Sequence, residues 1–500
     1  MDSGNAKSAF CKVQKTGSRV CAAFDSKWLP CLAAYFLCCL FVAVISFNAV
    51  LSYSAHLCGK SPLAFSVACA FLVGVFFLVL LRSWRGHPER VFLLVAFPAG
   101  LIFAFFLLPN QVPDECWHIY RAFDLKLTGA GTQVPAILES MPTTYAGLQA
   151  VMGNQSSWED TVYIGRDLTG YFVHLYIFPS WAIHACALVG VNPYCAIIVG
   201  RIVNGSIFLA VGYWIVKKVP FGKVLVCVYL LNPMMIQQEF SLSADAMVNV
   251  VALAFVTYVL YLKFSKSVKW SNIVGLLLLL VLTCISKFAY APLALLLLLL
   301  VPRIASGRVR KFIYCGTIAA VVLAVALVVA LYKGATYSAT FELVRDPKEF
   351  LSVMLNSTIE LGPLWIKEFA GMVLGALNIT IWEPCFWAYC LILLFSAVFN
   401  LGESRSFARW EKVFVVLLTV FMSVAILLIF REWTLTVDLR SDVIMGMQGR
   451  YLLPFYILPL LALVTPRAAQ RRDNCLVLYS CGFAWIYLVA AFYVVTRFML

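Results

Sequence analysis

Apolar runs of 18 residues or more recur along almost the whole chain, and that feature decides most of what it can fold into. A run of that length with few charges matches the hydrocarbon core of a bilayer as a helix. Inside lipid every backbone polar group must be satisfied internally. The expected fold is therefore an all-α polytopic membrane protein. Composition agrees: 63% of the 500 residues are hydrophobic and 12% charged, where soluble domains carry about 25% charged residues.

The formal net charge is +14. In a soluble chain that excess would suggest nucleic acid. Here the bases cluster in short loops between apolar runs, as in cytoplasmic loops facing anionic lipid, so membrane lipid is the expected partner and nucleic acid is not. The seventeen cysteines contain no CxxC pair and most lie within apolar runs, where a free thiol behaves as a small hydrophobe. A disulfide among Cys58, Cys116 and Cys385 has no support in the spacing.

The basic tail 1–28, with Lys7, Lys12, Lys15, Arg19 and Lys27, is placed in the cytoplasm. Three membrane helices follow within 29–108, at about 29–52, 63–82 and 91–108, with Arg82, Arg85 and Arg90 between the last two. The third then exits on the outer side. The first large outer loop is 109–194; its segment 171–189 reads as an interfacial helix, because a crossing there would put Lys217, Lys218 and Lys223 outside. Central helices in 195–332 are expected at about 195–216, 221–237, 245–262, 270–286, 288–302 and 312–332, with Lys287 and Pro292 splitting the 270–302 run. A second outer loop, 333–383, has the spacing of amphipathic helices. C-terminal helices in 384–500 are expected at about 384–400, 413–430, 451–466 and 474–496. The total is about thirteen spans, within a range of about 11–14. On this map the cytoplasmic segments hold 24 of the 38 Lys and Arg but 6 of the 24 Asp and Glu. The remaining acids sit in a few outer loops.

The first of those loops opens on PDECWHIYR, residues 113–121. In a helix starting there, Asp114 and Glu115 share reach with His118, three or four residues on, and Arg121 follows. Adjacent carboxylates beside a histidine at a membrane surface suit general-base work. The same residues also fit a plain helix start, with Asp114 as N-cap and Glu115 favouring the helix dipole. Glu115 and His118 are both metal-ligand types, but two ligands specify no metal; a divalent ion stays open and no cofactor is specified. GMQGRYLLPFYILP, 446–459, places Arg450 and Tyr451 where the chain re-enters the membrane. Arg450 suits phosphate, or with Tyr451 an interfacial anchor. Arg201 lies inside an apolar helix and should face the protein interior. Asp245 begins a helix and Lys287 sits at a helix junction, both outward. For these three an internal ion pair or snorkelling is the plainer account. Together, four outer elements bring Asp114/Glu115, Asp245, Lys287 and Arg450 to one membrane face, a set that suits an anionic phosphate at headgroup level and an acceptor hydroxyl above it.

In order, PDECWHIYRAF (113–123), GRIVN (200–204), LNPMMIQQEFSLSADA (231–246), SKFAYAPL (286–293) and MQGRYLLP (447–454) resemble a group of bacterial multi-pass proteins, domain-of-unknown-function family 2142. These are related to lipid-dependent glycosyltransferases of GT-C type. The resemblance covers most of the chain from residue 109 on. It implies a GT-C-like fold, a polyprenyl-phosphate sugar as donor, and transfer at the outer face of the bacterial cytoplasmic membrane to a lipid-linked or cell-envelope glycan. It implies an acidic catalytic base in the first outer loop, matching Asp114 with Glu115 beside it. Charge and side make Arg450 and Lys287 the candidates to hold the donor phosphate. His118, Arg121, Arg201, Asp245 and Tyr451 complete the expected substrate-binding set. A transporter or flippase of lipid-linked glycans would use the same charges for binding without consuming its cargo.

Overall fold

The computed structural model describes residues 22–499, apart from residue 24 and the segments 55–59, 127–130, 154–157, 169, 305–306, 333–338, 340–341, 343–344, 400–404, 439–440 and 466–471. Lys7, Lys12, Lys15, Arg19 and Cys58 lie outside the described residues; Cys116 and Cys385 are free thiols. The helices, in order, are α1 (Trp28–Ser54), α2 (Lys60–Trp84), α3 (Pro88–Phe106), α4 (Glu115–Phe123), α5 (Tyr145–Gly153), α6 (Ile177–Leu188), α7 (Pro193–Lys218), α8 (Lys223–Leu230), α9 (Pro233–Glu239), α10 (Ala244–Phe264), α11 (Trp270–Ser286), α12 (Gly307–Tyr332), α13 (Pro347–Phe369), α14 (Glu383–Val398), α15 (Arg409–Val437), α16 (Ile457–Leu463) and α17 (Arg472–Arg497). Two small antiparallel ribbons interrupt the all-helical expectation: β1 (Thr132–Pro135) with β2 (Thr161–Ile164), and β3 (Val373–Leu374) with β4 (Ile379–Thr380).

Among the described residues seven helices are long and apolar enough to cross a membrane: α1, α2, α3, α7, α10, α15 and α17. The helices α6, α11 and α14 and the 3₁₀ segment described below are apolar but shorter. The seven differ in what surrounds them. Most of α3 and α10 is buried inside the protein, whereas α1, α2 and α15 are largely exposed. Away from their ends their exposed residues are mostly apolar, among them Phe71, Leu72, Leu417 and Val420. Such faces suit lipid rather than water.

Two expected helices are broken. The 221–237 run is split into α8 and α9 at Asn232-Pro233. Pro233 removes a helix donor, and the Asn232 side chain caps α9 by accepting from the N–H groups of Met234 and Met235. The Asn232 amide then donates to the Phe369 carbonyl (2.7 Å) and the Tyr389 hydroxyl (2.8 Å), so the break is tied to its neighbours. Likewise 451–466 is not one helix but a 3₁₀ turn (Gly449–Leu452), an irregular stretch and the short α16. Tyrosines satisfy carbonyls freed at such ends: Tyr487 donates to Leu231 and Tyr229 to Leu453.

The 270–302 run is two segments meeting at an extended Lys287. The second, Phe288–Leu300, is a 3₁₀ helix of 13 residues, far beyond the usual three or four. Its rise of about 2.0 Å per residue lets it reach roughly 26 Å, where an α-helix would reach roughly 20 Å. A short segment can thus come close to the roughly 30 Å of hydrocarbon. The segment 171–189 contains α6, whose 12 residues cover about 18 Å.

Candidate functional site

The site is built where α3 ends and α4 begins. Asp114 has φ +63° and ψ 4°, and its side chain makes no cap bond to α4. The expectation of an N-cap is therefore not met. A non-glycine residue in the left-handed region is uncommon, although Asp tolerates it better than most. The conformation turns the side chain away from the helix it precedes. Asp114 Oδ2 instead accepts from Arg450 Nη2 at 2.7 Å, and the carboxylate remains 54% exposed.

Arg450 is 3% exposed and fully engaged at its two terminal nitrogens. Nη2 also donates to the Tyr451 hydroxyl (3.0 Å), and Nη1 to the Pro113 carbonyl (3.1 Å). Nη1 lies 3.2 Å from Asp245 Oδ2, and Asp245 Oδ1 accepts from Lys287 Nζ at 3.1 Å. The result is one chain of alternating charge, Asp114–Arg450–Asp245–Lys287, drawn from four separate segments. Asp245 reaches it because Ser243 caps α10, accepting from the Asp245 N–H. Lys287 Nζ stands 4.2 Å from the Tyr451 ring centre, a cation–π contact, and the Phe430 ring stacks on Tyr451 at 5.0 Å between centres.

This chain lines a cavity of about 400 Å³. Asp114, His118, Asp245, Lys287, Arg450 and Tyr451 contribute the polar wall, and Tyr171, Phe172, Leu175, Val248 and Phe430 the apolar one. His118 Nδ1 lies 2.6 Å from the Tyr176 hydroxyl. Burial drives its pKa down to about 4, so the ring is neutral at pH 7.

Three expected site residues do not line the cavity. Glu115 and Arg201 are wholly buried and spent on each other: Nε to Oε1 at 3.0 Å and Nη2 to Oε2 at 2.7 Å. Arg201 also donates to the carbonyls of Ala104 (3.3 Å), Leu107 and Leu108 (3.2 Å), and Glu115 Oε1 accepts from the Leu242 N–H (3.3 Å). The pair bolts α7 to the end of α3, the start of α4 and the turn before α10, which corrects the expectation of Glu115 as a second catalytic carboxylate and of Arg201 as a substrate ligand. Arg121, also buried, donates to the carbonyls of Tyr171 and Asp124, each at 3.2 Å. It positions the loop that carries Tyr171 rather than meeting the cavity. Glu115 and His118 point to different partners, and among the described residues no group of three or more His, Cys, Asp or Glu could hold a metal ion.

The motifs around the site have structural reasons. Gly449 packs so tightly on α13 that a Cβ would stand 2.0 Å from the Trp365 carbonyl oxygen, and its N–H donates to Glu368 at 2.6 Å. That docking sets the direction of the next residue, Arg450. In α7, Asn204 donates to the Ser241 carbonyl (2.8 Å) and Gly205 leaves room for the Phe240 ring. The GRIVNG stretch is thus a platform for the segment 240–245. Tyr171, Tyr176, Ser286 and Phe430 were not singled out from the sequence. Ser286 Oγ lies 2.8 Å from His174 Nε2 and ties the Tyr171 loop to α11.

Long apolar helices, lipid-suited outer faces and a charged cavity at one end of the bundle define a multi-pass helical membrane protein. A family model described as predicted membrane protein, DUF2142, matches residues 97–460, and the chain belongs to that family. No curated protein and no solved structure matches it.

Proposed function

We propose that the protein is a membrane glycosyltransferase. It moves a sugar from a polyprenyl-phosphate donor to a lipid-linked or cell-envelope glycan at the outer face of the bacterial cytoplasmic membrane. The observation that carries this reading is the alternating chain Asp114–Arg450–Asp245–Lys287 beside an apolar wall. A phosphate ester of a long isoprenoid needs both a cation and a greasy wall at headgroup level. Arg450 already has protein partners at both terminal nitrogens, whereas Lys287 is 39% exposed at its side chain. Lys287 is therefore the main phosphate ligand, and Arg450 the residue that orients Asp114.

The step balances as follows. The acceptor hydroxyl oxygen bonds to the anomeric carbon as the bond from that carbon to the phosphate oxygen breaks. The hydroxyl proton passes to Asp114, whose Oδ1 has no hydrogen-bond partner among the described residues. The lipid phosphate leaves with one more negative charge, which Lys287 stabilises. His118, neutral and tied to Tyr176, holds the cavity wall in place.

The test is a lipid extract from cells lacking the gene, complemented with wild type or Asp114→Asn. The expected result is that the variant, like the deletion, accumulates one lipid-linked sugar and loses that sugar from a surface polymer. A variant that matches wild type while the deletion does not would remove Asp114 from the mechanism and favour transport of the lipid-linked glycan.

A further inference from the structure

We propose that the end of the bundle opposite the Asp114 cavity carries a second site, which binds a phosphomonoester or diphosphate group. Helix α10 runs from Asp245 in the first cavity to Phe264 in the second, which separates them by roughly 30 Å at 1.5 Å per residue. The second cavity holds about 390 Å³ and is lined by Lys217, Lys218, Lys223, Lys266 and Arg405. These come from three places far apart in the sequence: the α7–α8 turn, the loop after α10 and the segment before α15. Among the described residues no Asp or Glu lines it.

Basic loops at one face are what orientation in the membrane requires. That requirement accounts for the number of bases and not for their convergence on one hollow. Several bases at this end have partners. Lys263 pairs with Glu411 and Arg90 with Asp25, and Lys412 donates to the Val464 carbonyl. By contrast Lys217, Lys218, Lys266 and Arg405 have no carboxylate partner among the described residues. Lys218 Nζ rests 5.3 Å from the Tyr261 ring centre and the Arg405 guanidinium 5.7 Å from that of Phe264, so aromatic walls hold two of the cations in place. Lys223 also opens α8, whose first turn has no side-chain cap and offers N–H groups to an anion. Like charges held this close repel one another unless a counter-charge joins them. A group with two or more negative charges and several acceptor oxygens answers both the charge and the donors. It is carried either on a lipid headgroup of that leaflet or on a free phosphorylated molecule.

The experiment uses the full chain in nanodiscs. Inorganic pyrophosphate is titrated calorimetrically into phosphatidylcholine discs, and phosphatidic acid retention is measured by native mass spectrometry from mixed discs. Binding of pyrophosphate assigns a free ligand; retention of phosphatidic acid alone assigns a headgroup. In either case Lys218→Gln/Lys266→Gln/Arg405→Gln is expected to weaken binding by roughly tenfold or more, and Arg308→Gln, an exposed base outside both cavities, to leave it unchanged. All three triple-variant positions are exposed, and an unchanged melting temperature verifies the fold; Lys266→Gln alone gives the same direction with a smaller loss. Absence of binding to either probe overturns the proposal. So does equal binding by the triple variant, or an equal loss of binding in Arg308→Gln.

Discussion

Replacing Glu115 by glutamine is expected to destabilise the protein strongly, because its neighbour Arg201 is a cation about 1% exposed inside the bundle. The carboxylate is the counter-charge to that guanidinium and receives two of its donors, plus the Leu242 N–H. Glutamine keeps one acceptor oxygen and turns an NH₂ toward a group that has no acceptor. Three backbone carbonyls remain on Arg201, and dipoles only partly replace a lost counter-charge. Removing one partner of a buried pair costs about 3–5 kcal/mol, which for a chain of 500 residues corresponds to a fall of roughly 4 °C in melting temperature. The assay is the fraction still monodisperse on size exclusion after heating in detergent. Glu115→Leu with Arg201→Met removes both charges and should lose less than either single change, although the carbonyls of Ala104, Leu107 and Leu108 are then left without that donor. A Glu115→Gln protein that melts with wild type yet has no transfer activity would refute the structural assignment and make Glu115 a catalytic group.

Gly449→Ala forces a Cβ to 2.0 Å from the Trp365 carbonyl oxygen and 2.4 Å from the Phe369 nitrogen, both backbone atoms. A loss of about 1–3 kcal/mol or more is expected, read as lower yield and an earlier melt. His118 has its pKa lowered to about 4 by burial, so its contribution to stability is complete above the unfolded value near 6.5 and is lost as pH falls toward 4. Wild type should therefore lose about 2 kcal/mol between pH 7 and pH 5 that a His118→Gln protein does not lose, measured as the difference between their melting curves at the two pH values. Lys287→Gln leaves the bundle intact, because that side chain is 39% exposed, and on the proposed function raises the donor KM by roughly tenfold or more; an unchanged KM would take the phosphate away from Lys287.

Much of the cavity can be read from charge placement alone. Ionisable residues at the ends of apolar runs are expensive, so Asp114, Asp245, Lys287 and Arg450 stand out. What cannot be read is how two adjacent carboxylates divide. Asp114 and Glu115 differ because the left-handed turn at 114 separates their directions, one toward Arg450 and one toward Arg201, and both arginines are remote in sequence. The Asn232-Pro233 break was visible as a cap followed by proline at the first helical position, but the apolar run around it reads as one helix. The 13-residue 3₁₀ segment has no signal beyond Pro292, since leucine repeats fit either helix type. Tyr171, Tyr176 and Phe430 lie among many aromatics in apolar sequence, and only the packed structure distinguishes those that face the cavity. Gly449 is likewise explained by a helix that ends 80 residues earlier, at Phe369.

The alternating chain also constrains the order of events at the site. Two carboxylates and two cations balance to zero, and the buried Glu115–Arg201 pair balances separately. On the proposed function, a phosphodiester anion entering the cavity must therefore compete with Asp245 for Lys287, because among the described lining residues both cations are already matched. On the proposed function, the leaving phosphate gains one negative charge while Asp114 gains a proton, so the charge of the site as a whole does not change. Arg450 touches both acids of the chain. As Asp114 becomes neutral, Arg450 is released from it and its field is available to the phosphate side through Asp245 and Lys287. Neutralising Asp114 in advance, as Asp114→Asn does, removes the base and also leaves Arg450 under-matched. The variant should then bind the anionic donor at least as tightly as wild type while failing to transfer it, which separates loss of chemistry from loss of binding. Weaker donor binding in that variant would mean that Asp114 serves to hold substrate, and that the proton goes elsewhere.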